Sequence, residues 1–146
     1  MVAKISAVYI EHVCSAAKQH RLHINDLEDC CGPYCDMYIF ADDAKFYRHI
    51  EHPDDQEFLQ LAINALHQWS KKWMLSLNSN KCQVVSYGRT IDTSTVYTIM
   101  DQNQQVVPLA RLDKIKDIGV YFDTRLEYKD HMLEKNKQGI YDVRLN

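Results

Sequence analysis

The sequence predicts an α+β fold organised around a mostly antiparallel sheet, and three observations lead there. The run Met37-Tyr38-Ile39-Phe40-Ala41-Asp42-Asp43-Ala44-Lys45-Phe46-Tyr47 sets two aspartates between two short stretches rich in aromatic and β-branched residues. That is the pattern of a β-hairpin with Asp42 and Asp43 at its tip. From 54 to 74, Phe58, Ala62, Leu66, Trp69 and Trp73 recur at the spacing of an amphipathic helix, with Leu59 and Ile63 broadening the stripe. Further on, several short apolar stretches separated by turn residues read as strands. The order hairpin, helix, strand, hairpin, strand, helix is that of an α+β chain.

Length and composition bound the problem without naming an activity. The chain has 146 residues, enough for one domain and its core, with 46% hydrophobic and 25% charged residues. Its net charge of -3, from 17 basic and 20 acidic residues, lacks the basic excess of a freestanding nucleic-acid binder. Affinity for nucleic acid then requires local patches or a partner segment. Lys4, Glu11 and His12 interrupt any apolar run at the N-terminus, so no signal peptide is expected. No stretch has the length and apolarity of a membrane span, so no membrane partner is expected. The five cysteines are odd in number, which is read as reduced thiols in an intracellular protein.

Taken in order, residues 3–17 place Ile5, Val8, Val13 and Ala16-Ala17 at roughly helical spacing, and a short amphipathic helix is expected. Cys30-Cys31-Gly32-Pro33 marks a loop leading into the central hairpin. Pro53 followed by Asp54, with Glu57 three residues on, reads as a helix start with a capping box. Asn78, Ser79 and Asn80 close the helix. Cys82 to Tyr87 then reads as a mostly buried strand ending at Gly88. Residues 94–99 and 105–110 form a hairpin around Asp101-Gln102-Asn103. Ile115 to Phe122 reads as a single strand, with Gly119 marking a bulge or close approach. Tyr128 to Tyr141 returns to a charged helical pattern.

Four motifs stand in one order: Ile24-Asn25-Asp26-Leu27; Phe40-Ala41-Asp42-Asp43; Trp69-Ser70-x-x-Trp73-x-Leu75-x-Leu77-Asn78-x-x-Lys81-Cys82; and Lys116-Asp117-Ile118-Gly119-Val120. Together they resemble the reverse transcriptase domain of non-LTR (LINE-type) retrotransposons, from the middle of the palm to the start of the thumb, over about residues 24–135. The resemblance implies a partial palm over 24–127 and the first thumb helix over 128–146, and leaves 1–23 as an unassigned N-terminal helix that is not family-like. It implies an RNA-directed DNA polymerase acting on an RNA template and a DNA primer. Phe40-Ala41-Asp42-Asp43 matches the family's catalytic box, which makes Asp42 the ligand of two magnesium ions and Asp43 its supporting neighbour. Lys81 falls where such polymerases carry a lysine proposed to protonate the departing pyrophosphate. Lys116 to Val120 matches the region that grips the primer end. Two hard cations need several carboxylate oxygens to stabilise the attacking and leaving oxygens of an in-line displacement. In the family a third aspartate comes from an earlier palm strand. Only 41 residues precede Asp42, so no room is expected for that strand or for the fingers. The Gly-Ser-x-Leu-Gly-Pro segment expected before Ile24 is also replaced, by Ala17-Lys18-Gln19-His20-Arg21-Leu22-His23. The expectation is therefore a polymerase fragment, inactive alone.

Other readings of the same residues stay open. Asp42-Asp43 also makes a serviceable turn by itself, and Lys81 is equally a turn lysine. His20-x-x-His23 with Cys30, Cys31 and Cys35 offers zinc ligands, though in none of the paired Cys-x-x-Cys spacings. Trp69 and Trp73 read as core rather than as base-stacking platforms, and Tyr38, Phe46 and Tyr47 as packing. The functional alternative is a non-catalytic module of retroelement origin that binds nucleic acid or protein. An incomplete palm with exposed apolar surface also favours self-association.

Overall fold

The computed structural model describes residues 4–11, 25–40 and 43–143. The chain runs β1 (Ile5–Ile10), α1 (Asn25–Cys31), β2 (Asp36–Phe40), β3 (Asp43–His49), α2 (Pro53–Lys72), β4 (Cys82–Tyr87), β5 (Thr98–Met100), β6 (Val106–Pro108), β7 (Ala110–Arg111), β8 (Lys114–Asp117), β9 (Val120–Asp123) and α3 (Lys129–Val143). Five strands form one sheet in the order β2-β3-β1-β4-β7. The β2–β3, β3–β1 and β1–β4 pairs are antiparallel and β4–β7 is parallel. β1 and β2 therefore run parallel with β3 between them, and β3 and β4 run parallel with β1 between them. This is split β-α-β connectivity, an α+β arrangement.

The central place of β1 corrects the helix expected over 3–17. Ile5 and Val8 fit a helical stripe, but Ile5-Ser6-Ala7-Val8-Tyr9-Ile10 is covered on both faces. A strand buried on both faces loses its period-2 signature, so spacing alone misreads it. Residues 3 and 12–17 of that expected helix lie outside the described residues.

Register determines what each face carries. Met37, Phe46, Val8 and Val84 form one row across four strands, and Ile39, Ala44, Ile10 and Cys82 form the next. Both rows face the helices, where Leu27 and Cys31 of α1 and Leu59, Ala62, Ile63, Leu66 and Trp69 of α2 complete the core. Trp73 packs against the edge of this core, as expected. The opposite face carries Tyr38, Lys45, Tyr9 and Gln83 in a row, with Tyr47, Ala7 and Val85 beside it. Tyr38 and Tyr47 therefore do not share the core with Phe46, and Tyr38 is 52% exposed.

Three further elements depart from expectation. α2 starts one residue early, with Pro53 at its first turn and its cap supplied by Asp55: the His52 N–H donates to Asp55 Oδ2 at 2.9 Å. Glu57 is not the capping residue. The single strand expected over Ile115–Phe122 is a hairpin, β8–β9, turning through Ile118 (φ 46) and Gly119 (φ 78). Two consecutive positive φ angles are what a two-residue primed turn requires, and glycine meets the second without strain. The Cys30-Cys31 pair ends helix α1 rather than opening a loop.

Candidate functional site

The hairpin expected to carry catalysis is formed. β2 ends at Phe40, β3 begins at Asp43, and the two face each other in register. Ala41 and Asp42 lie outside the described residues. Asp43 alternates with Ala44 and so stands on the open face, two positions before Lys45.

Register brings two other residues to the same end of the sheet. Ile10 pairs with Ala44 on one side and with Cys82 on the other. One step further, Glu11 falls between Asp43 and Lys81, and its N–H donates to the Lys81 carbonyl at 3.4 Å. Asp43 and Lys81, both expected site residues, thus end up two strands apart, roughly 10 Å between backbones. Lys81 closes a short 3₁₀ turn, Ser79–Lys81, and its side chain is exposed. Sequence reasoning missed Glu11. Its signal was an acid directly after a β-rich apolar run, visible only once that run is read as a strand.

A cleft of about 230 Å³ opens at this end, lined among others by Glu11, Phe40 and Asp43 and, from the β8–β9 hairpin, by Lys116, Asp117 and Ile118. Lys116 lies 3.9 Å from Glu134 of α3, with its ammonium 5.0 Å from the Tyr121 ring centre. Lys45 Nζ donates to Asp117 Oδ2 at 2.7 Å. Burial alone would lower the Lys45 pKa, but the Asp117 carboxylate outweighs it and raises the value above that of an ordinary lysine. Asp117 is thereby already engaged by a cation of the protein. Asp26, of the first of the four motifs, pairs with Lys72 at 3.4 Å in the helix layer.

Among the described residues no group of three carboxylate, histidine or cysteine side chains converges. Glu11 and Asp43 alone fall short of what two hard cations require, so the described residues do not by themselves fit the pair of ions. Of the cysteines considered for zinc, Cys31 and Cys35 are buried, their thiols directed at the Ala62 and Cys31 carbonyls, and Cys30 is half-buried against the core. His20 and His23 lie outside the described residues. Among the described residues no helix is long and apolar enough to cross a membrane. No protein-family model, curated protein or solved structure matches the chain.

Proposed function

We propose that this chain is the palm-to-thumb portion of an RNA-directed DNA polymerase of the non-LTR retrotransposon type, with its site at the hairpin end of the sheet. The observation that supports the reading is convergence. Phe40 and Asp43 of the catalytic-box match and Lys116 to Ile118 of the primer-grip match are far apart in sequence, yet they line one cleft. On this reading β1 takes the place of the earlier palm strand, with Glu11 where that strand's acid would stand. α3 begins the thumb. Lys116 offers a cation to phosphate from the cleft wall, Lys81 is the second candidate cation, and Asp42 and Asp43 supply the acidic centre. Magnesium, when bound, would neutralise the charge of an in-line phosphoryl displacement. We expect the isolated chain to bind a primer–template end without extending it.

The test measures binding of an RNA–DNA hybrid by fluorescence anisotropy at several salt concentrations, with and without Mn²⁺, alongside primer extension. The expected result is saturable binding that Mn²⁺ strengthens in the native chain but not in Asp42→Asn. Lys116→Ala should lower the salt slope by about one phosphate contact. Absence of hybrid binding would sink the reading. Metal-dependent extension abolished by Asp42→Asn would instead show a complete enzyme. Tyr38, Phe40 and Ile118, exposed beside the cleft, favour a second reading, a non-catalytic binding module. Hybrid binding indifferent to metal and to Asp42 would support that one.

A further inference from the structure

The β8–β9 hairpin shares no ladder with the five-stranded sheet, yet it lies against the sheet's open face. Its two ends are held differently. At the base, the Leu112 N–H donates to the Val84 carbonyl at 2.9 Å and the Gly88 N–H donates to the Thr124 carbonyl at 2.9 Å. Just inside, Ile115 and Phe122 face each other across the hairpin and pack on Ala7, Val85 and Tyr87. At the far end, Asp117 is the last residue of β8 before the turn, and it accepts the Lys45 ammonium at 2.7 Å. Lys45 is positioned for this by its row in the sheet. Tyr38 and Tyr9 are its register partners on either side, with ring centres 5.7 Å and 5.6 Å from Nζ.

The same ion pair stands between two spaces. One is the 230 Å³ cleft with Glu11 and Asp43. The other is a cavity of about 540 Å³ between the hairpin and the sheet, walled by Tyr47, Tyr87, Phe122 and Tyr128. Lys45 and Asp117 border both.

We propose that β8–β9 is a flap, hinged at its base by the two backbone bonds and latched at its turn by Lys45–Asp117, and that releasing the latch joins the apolar cavity to the acidic cleft. The inference stands on this geometry and does not need the polymerase reading. Segments held by few contacts open locally without global unfolding. Among the described residues, the hydrogen bond that ties the turn end to the sheet is this charge-assisted one between partly buried groups, while the base has backbone bonds and apolar packing.

Hydrogen exchange followed by mass spectrometry on the full chain tests it, comparing 114–123 with 5–10 and 82–87. Asp117→Asn and Lys45→Met should each speed exchange in 114–123 by about fivefold to thirtyfold, with the other two segments unchanged. The double variant should exchange no faster than either single one. The swap Lys45→Asp with Asp117→Lys should return exchange toward the native rate. Native exchange in both single variants would overturn the latch. So would a swap as fast as the single variants, or a rise shared with 5–10 and 82–87, wholesale unfolding included, because the pair would then be a general support of the sheet.

Discussion

Cys31, Cys35 and Cys82 show how a residue type read for its compartment turns out to be a packing choice. Each is buried, and each thiol points at a carbonyl: Cys31 at Ala62 (3.6 Å), Cys35 at Cys31 (3.7 Å) and Cys82 at Asn78 (3.3 Å). Burial, reinforced by neighbouring groups such as Asp36 beside Cys35 and Glu11 beside Cys82, pushes all three thiols up to about 12. At mildly alkaline pH their thiolate population is then far below that of an ordinary cysteine. Peptide mapping after iodoacetamide treatment should find these three unmodified in the native protein and fully alkylated in denaturant. Rapid native labelling of any of them would contradict their place in the core. A second single-residue effect belongs to Gly32, where an added Cβ would sit 2.6 Å from the Glu28 carbonyl oxygen at the end of α1. That contact is with backbone, so no side chain can rotate out of the way.

Among the elements, the start of α2 carries the clearest pH dependence. The Asp55 carboxylate accepts from the His52 N–H (2.9 Å), the Glu51 N–H (3.0 Å) and Arg48 Nε (2.9 Å). The His52 backbone donor is the largest of the influences that lower its pKa. A carboxyl held below its unfolded value contributes stability above that value and loses it as pH falls through the folded one. Asp55→Asn should therefore cost about 1–2 kcal/mol at neutral pH, and the difference from the native chain should shrink in acid, once pH falls below the ordinary aspartate range. Urea unfolding at the two pH values measures both. A cost that persists unchanged in acid would assign the effect to packing instead. Asp123 does similar work after β9. Burial opposes its charge, but the Glu127, Tyr128 and Arg125 N–H groups outweigh burial and lower its pKa. It adds to the same acid-side loss.

For the molecule as a whole, the decisive feature is that β1 forms the middle of the sheet. Ala7, paired with Tyr47 on one side and Val85 on the other, is 2% exposed. In the helix expected from spacing, position 7 lay off the apolar stripe and would tolerate a charge. In the strand, Ala7→Asp leaves an unpaired carboxylate between two neighbours and should cost at least about 3 kcal/mol, or abolish folding. Circular dichroism and thermal unfolding decide between the two. A variant as stable as the native chain would restore the helix and remove Glu11 from the candidate site.

The amino-acid sequence by itself determined the elements whose signals are local. The stripe from Phe58 to Trp73 specifies α2 because its helical face is wet on one side and dry on the other. The aromatic and β-branched runs around Asp42-Asp43 specify the hairpin, and Cys82 to Tyr87 specifies β4 to the residue. Tertiary structure alone decided the rest, because strand order arises from ladders between distant segments. Ile5 to Ile10 became a strand only by being covered on both faces. Glu11 joined Asp43 and Lys81 only through the register of β1 with β3 and β4, and Lys45 met Asp117 only because the β8–β9 hairpin folds over the open face. Asp43, Lys81 and Lys116 could be picked out one by one as candidates from their local motifs. Their neighbours could not, since contact between strands leaves no periodic trace in the chain.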